Sequence, residues 1–118
     1  MPSLFEVSAG KLAGPTTGGT VTQATNKTTG VTLNAESGQI TMNDAALGAA
    51  AEASFTVTND KIAATDVVVA VHGSAGTAGS YLVGVSAIAA GSFKITVTNV
   101  SGGSLSEAIV LNYKIIKG

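Results

Sequence analysis

The stretch Phe93-Lys94-Ile95-Thr96-Val97 decides the fold class. Successive side chains of an extended chain point to opposite faces, so Phe93, Ile95 and Val97 fall on one side and Lys94 and Thr96 on the other. The same alternation occupies Ser54-Phe55-Thr56-Val57-Thr58. It returns near the C-terminus, where Ile109, Leu111, Tyr113 and Ile115 oppose Val110, Asn112, Lys114 and Ile116. Threonine suits the polar side of such a strand because it is β-branched and still hydrogen-bonds water. These segments read as half-buried antiparallel strands.

Working outward, shorter runs at 20–23, 31–34 and 39–42 read as weaker strands, separated by turns at Asn26-Lys27-Thr28-Thr29-Gly30 and Glu36-Ser37-Gly38. Residues 66–72 contain Val67, Val68, Val69 and Val71 and are apolar on both faces, which predicts a central strand. Residues 81–88 read the same way, with Gly84 as a bulge or close-packing point. Residues 43–52 break the period: Asn43 and Asp44 precede Ala and Leu, and Gly48 stops the run, so one helical turn is drawn there. About eight or nine strands at this spacing predict an all-β protein. The expected architecture is a two-sheet antiparallel β-sandwich, jelly-roll-like or Greek key, with an extended N-terminal arm. Its expected core is Phe55, Val57, Val69, Val83, Val85, Phe93, Ile95, Val97, Ile109 and Leu111.

Two segments follow from turn composition. Residues 1–18, which include Gly14-Pro15, read as an N-terminal arm, and residues 19–118 as the sandwich body. Leu4-Phe5-Glu6-Val7 can also be read as a strand. Leu4, Phe5 and Leu12 are costly to leave in water, which makes them candidate contact residues for a partner.

Composition removes several function classes. Only 11% of the 118 residues are charged and the net charge is −1, so no basic patch can neutralise a run of phosphates, and no nucleic acid is expected as a partner. With no cysteine there is no disulfide framework, thiolate nucleophile or Cys-ligated metal. No apolar run spans a bilayer and the N-terminus lacks a secretory pattern, which predicts a soluble protein made in the cytosol with no membrane contact. The two Asn-X-Ser/Thr sequons, at Asn26 and Asn99, are then coincidental. Five aromatics and no tryptophan weaken a carbohydrate-stacking role.

The residues that could carry chemistry are few. His72 is the one candidate general base, and Asp66 shares its strand face but lies about 20 Å away at ~3.3 Å per residue. No second carboxylate is signalled for it, so His72 reads as a strand-end residue and no enzymatic activity is expected. Asn59, Asp60 and Asp66 bracket a loop that could offer oxygens to calcium, but Lys61 sits inside it, and a turn with Ile62 at the core edge is the preferred reading. Gly14, Gly18 and Gly19 lack the Lys-Ser/Thr of a phosphate loop. No metal and no cofactor is expected.

Three phrases carry a resemblance. They are Gly19-Thr20-Val21-Thr22-Gln23-Ala24-Thr25-Asn26-Lys27-Thr28-Thr29-Gly30-Val31-Thr32-Leu33-Asn34 with Gly38-Gln39-Ile40-Thr41-Met42-Asn43, then Ile62-Ala63-Ala64-Thr65-Asp66-Val67-Val68-Val69, and the tail from Gly102-Gly103-Ser104-Leu105 through Glu107-Ala108-Ile109-Val110-Leu111-Asn112. Together, over residues 19–117, they resemble small structural proteins of tailed bacteriophages. The resemblance implies a virion component, and at this size a capsid decoration (cement) protein on the capsid exterior. Its implied partner is the major capsid protein, and its implied state a homo-oligomer, trimer or dimer. In that setting Leu4, Phe5 and Leu12 become capsid-contact residues. The alternative is a tail or fibre module that binds a host receptor or glycan.

Overall fold

The structure is a computed structural model that describes residues 18–118. Residues 1–17 lie outside the described residues, and with them the arm or strand expected at 4–8 and the candidates Leu4, Phe5 and Leu12. Among the described residues there is no helix. The elements are β1 (Gly19–Thr22), β2 (Val31–Thr32), β3 (Ser37–Thr41), β4 (Glu52–Thr58), β5 (Val67–Ser74), β6 (Tyr81–Ala89), β7 (Ser92–Asn99) and β8 (Val110–Ile116). One sheet has the order β1-β3-β8-β5 and the other β2-β4-β7-β6, and a shared apolar core lies between them. The chain is an all-β sandwich, as the alternation predicts.

Among the described residues every connection except the β6–β7 hairpin crosses from one sheet to the other. A chain that reverses direction each time it changes sheet runs the same way whenever it returns. β1 and β3 are neighbours and therefore pair in parallel, as do β2 and β4. The other four pairings are antiparallel. The sheets are thus mixed, where the sequence reading had them wholly antiparallel.

The three decisive stretches behave as expected. Phe93, Ile95 and Val97 on β7 face Val57, Phe55 and Ala53 on β4 across the register, all of them buried. Ile109, Leu111, Tyr113 and Ile115 are buried, and the Tyr113 ring lies 5.6 Å from that of Phe93. Val83 and Val85 flank the core, half-buried.

Val69 is the correction. It is 49% exposed, and Val68 is buried in its place. The Val67–Val69 run is apolar in both phases, so its inward set is chosen by the partner strand. β8 presents Ile115, Tyr113 and Leu111 inward, and the register aligns them with Val68, Ala70 and His72. β5 and β6, expected at the centre, are each the last strand of a sheet. The bulge in β6 falls between Ser86 and Ala89, where Ala87 has φ 54°, and not at Gly84, which pairs regularly with Thr96. The expected helical turn at 43–52 is absent. Leu47 instead forms a bridge to Leu105 and is buried, and Ala50 takes φ 62°. An Ala-rich segment this short does not hold a helix when its one large apolar side chain can enter the core. The expected turn at Glu36-Ser37-Gly38 is already strand from Ser37. Gly38 is needed there: a Cβ would stand 2.8 Å from Leu33 Cδ2 and 2.9 Å from the Gly19 carbonyl oxygen.

Adjacent residues of β7 test this register. Phe93 is fully buried and Lys94 exposed. Phe93→Ala is expected to cost about 3–5 kcal/mol of unfolding free energy by the usual large-to-small core penalty. Lys94→Ala is expected to stay within about 0.5 kcal/mol in the same urea titration.

Candidate functional site

The cross-sheet connections gather the polar side chains at the two ends of the sandwich. At one end lie the 23–30, 42–51, 75–80 and 100–109 connections, and at the other the 33–36 and 59–66 connections.

The first end holds His72. Its ring packs edge-on against Tyr81, with centroids 5.4 Å apart. His72 Nε2 lies 2.6 Å from the Ala75 carbonyl oxygen. A carbonyl only accepts, so Nε2 carries the proton. The Tyr81 hydroxyl donates to Glu107 Oε1 at 2.8 Å, and Thr77 donates to the same carboxylate from its backbone N–H at 2.9 Å and its hydroxyl at 2.7 Å. Beside this cluster the 73–79 loop, His72 and Tyr81 line an open cleft of about 240 Å³. The fold therefore does bring a carboxylate beside His72, through Tyr81, although the sequence signals none.

The electrostatics assign fixed roles to these groups. The Tyr81 phenol is pushed up to about 12, first by burial and then by its hydrogen bond to the Glu107 carboxylate and by that charge. It is a donor at neutral pH. Glu107 is held below the usual carboxylate range by the hydrogen bonds from Thr77 and Tyr81, so it is ionised with both oxygens engaged. Lys27 completes the end. Its buried ammonium donates to the Glu107 carbonyl at 2.7 Å and to the Asn43 carbonyl. Burial pushes its pKa down, opposed by the charges of Asp44 and Glu107. The group ties the 23–30, 42–51, 75–80 and 100–109 connections to one another.

At the opposite end lies Asp66, separated from His72 by the length of β5. Its buried carboxylate accepts from Lys117 Nζ at 2.6 Å, from the Ala63 N–H at 2.8 Å and from the Gly118 N–H at 3.0 Å. The oxygens considered for calcium do not converge. Asn59 Oδ1 accepts the Lys61 N–H, Asp60 approaches Lys61 in an exposed pair, and Asp66 faces Lys117. Ile62 is buried at the core edge, as the turn reading requires.

Four asparagines share one device. The Oδ1 atoms of Asn26, Asn43, Asn59 and Asn99 accept the N–H two residues on, from Thr28, Ala45, Lys61 and Ser101. Each is an Asx-turn. Three of them also use the side-chain amide to hold a second segment. Asn43 donates to the Ala24 carbonyl, Asn59 to the Ala35 carbonyl and the Tyr113 hydroxyl, and Asn99 to the Leu47 and Gly103 carbonyls. Gln23 works alike, donating to the Lys27 and Thr29 carbonyls and accepting the Asn43 N–H. Sequence reasoning took Asn26 and Asn59 for turn formers, Asn43 for a helix cap, Gln23 for a strand residue and Asn99 for a coincidental sequon, and missed the second partners of Gln23, Asn43, Asn59 and Asn99. A signal was present: Thr-Val-Thr-Asn occurs at 56–59 and again at 96–99, each time as a strand exit.

Two outcomes are expected. Asn99→Ala removes the acceptor of the Ser101 N–H and the amide that bridges the Leu47 and Gly103 carbonyls, and should cost about 1–3 kcal/mol in denaturant titrations, with Asn99→Asp at least as damaging because it turns a carboxylate toward those carbonyls. The Asp66 carboxyl is held down at about 2, first by Lys117 and then by the Gly118 and Ala63 N–H groups. The usual value is about 3.9, so its contribution is complete above about pH 4 and is lost as the pH falls toward 2. Denaturation series between pH 2 and 7 should show Asp66→Asn less stable at neutral pH and with a shallower acid slope than the parent, Glu107 supplying the slope that remains.

Compared with known proteins, the chain matches no family model, no curated protein and no solved structure.

Proposed function

We propose that the protein is a structural component of a tailed-phage virion, a capsid decoration protein. It binds the outside of the shell and stabilises contacts between major capsid subunits. The observation that supports this reading is the use of its buried polar groups. Gln23, Lys27, Asn59, Asp66 and Asn99 are each bonded to the protein's own loops. Such a body offers surface and rigidity in place of a reacting group. The phage-like phrases at 19–43, 62–69 and 102–112 supply the setting.

The shell is preferred over a glycan-binding tail module. Phe55, Phe93, Tyr81 and Tyr113 are all buried, so among the described residues no aromatic ring presents a face to a sugar. In this reading Leu4, Phe5 and Leu12 serve as the capsid anchor. Each buried apolar side chain is worth roughly 1.5–3 kcal/mol before the ordering cost, and repetition in an oligomer multiplies the hold.

Deletion of residues 2–16 should leave the melting of the body nearly unchanged and weaken binding to bare capsids. Imaging of particles with and without the protein should place it on the shell. Density on the tail, or unaltered capsid affinity of the truncated chain, would reject the assignment or the anchor respectively.

A further inference from the structure

From Val67 to Phe93 the chain contains no Asp, Glu, Lys or Arg; all six lysines and seven carboxylates lie outside this run. These residues build β5, the 75–80 connection, β6 and the turn into β7. Because β5 and β6 are, among the described residues, the end strands of their respective sheets, the uncharged run forms one side of the sandwich as described. The outward residues of β5 are Val67, Val69 and Val71, exposed by 54%, 49% and 49%. Ile116, the register partner of Val67, extends this apolar column, and Leu82, 63% exposed, stands on the outer face of β6. Among the described residues β5 pairs with β8 alone, so its other backbone edge is unpaired. Edge strands are ordinarily guarded by lysine, proline or inward charge. From Val67 to His72, β5 has none of these.

We propose that this side is a two-fold interface with a second copy of the chain, in which β5 pairs antiparallel with its counterpart about an axis at Val69. Val69 then faces Val69, and Val67 faces Val71, in a cross-strand valine cluster on a continuous eight-stranded sheet.

Charge singles out a second copy as the occupant. Across a two-fold axis every residue near the axis meets itself, so any charge there meets its own sign. A different partner could answer a charge with its opposite and gain steering from it. A side stripped of both signs fits self-association. The nearest charge on the same sheet face is Lys114, one strand inward beside Val69. Three strand spacings, about 14 Å, separate it from its mate in the pair, beyond a Debye length of about 10 Å. An eight-residue strand is about 27 Å long, and two layers with their side chains are about 20 Å deep. The contact buries on the order of 500 Å² per copy and 1,000 Å² in all, the lower bound for a specific interface.

The test uses the isolated full chain and does not involve capsids, so its failure leaves the capsid reading standing. Sedimentation equilibrium from 1 to 200 µM is expected to show a monomer–dimer equilibrium. Val69→Lys should raise the dissociation constant at least about tenfold by opposing two ammonium groups at the axis. Leu82→Lys, at the flank, should raise it less, and it reports on the same side if the first variant fails to fold. Thr20→Lys, exposed on β1 at the opposite end of the sheet, should leave it unchanged. A monomer at all concentrations, a trimer, or a dimer indifferent to both Val69→Lys and Leu82→Lys overturns the proposal.

Discussion

The fold depends on asparagine side chains that do two tasks at once at the ends of strands. A sandwich whose chain changes sheet at nearly every connection has many loops crossing its two ends, each carrying backbone groups that water reaches poorly. Asn59 and Asn99 are fully buried there. One end of each amide closes the local turn, and the other takes the carbonyls of a separate segment. The strand exit and the neighbouring loop are thereby positioned by a single planar group. Aspartate, serine or threonine at these positions could accept from the turn but could not donate two hydrogen bonds across the gap.

Much of the architecture is readable in the chain because one face of most strands is polar. Where Thr and Lys alternate with Phe, Ile and Val, the period determines both strand and facing, as on β4, β7 and β8. The reading fails where that contrast is missing. Val67, Val68 and Val69 give no phase, and only the hydrogen-bond register with β8 selects Val68 for the core. Placement of β5 and β6 at the centre came from the same ambiguity, since an apolar outer face can mean a covering layer or an uncovered edge. The parallel pairings are not written in any strand. They arise from the order in which the chain visits the sheets, which is a property of the whole path.

The polar ends were less legible than the core for a related reason. A long-range hydrogen bond leaves no period. Nothing near His72 in sequence announces Glu107, and nothing near Glu107 announces Lys27, yet the three meet because four connections converge over the same end. The loop of Asn59 to Asp66 was read correctly as a turn, but its carboxylate also holds Lys117 and Gly118 beyond β8. The ends thus concentrate the ionised groups and their partners, while one flank of the sandwich is left without either sign of charge.

The threading of the chain has a consequence for how it comes to its native state. Among the described residues only β6 and β7 are joined directly by a hairpin, turned at Gly91 with φ 90°, while every other ladder joins segments distant in sequence. Chain closure must precede each of those pairings, which places the protein among the high-contact-order folds that take milliseconds to seconds to fold. The hairpin, at about 1–10 µs, forms first. It then offers β4 a strand on which to align, with Phe55 and Val57 meeting Ile95 and Phe93 before the second sheet exists.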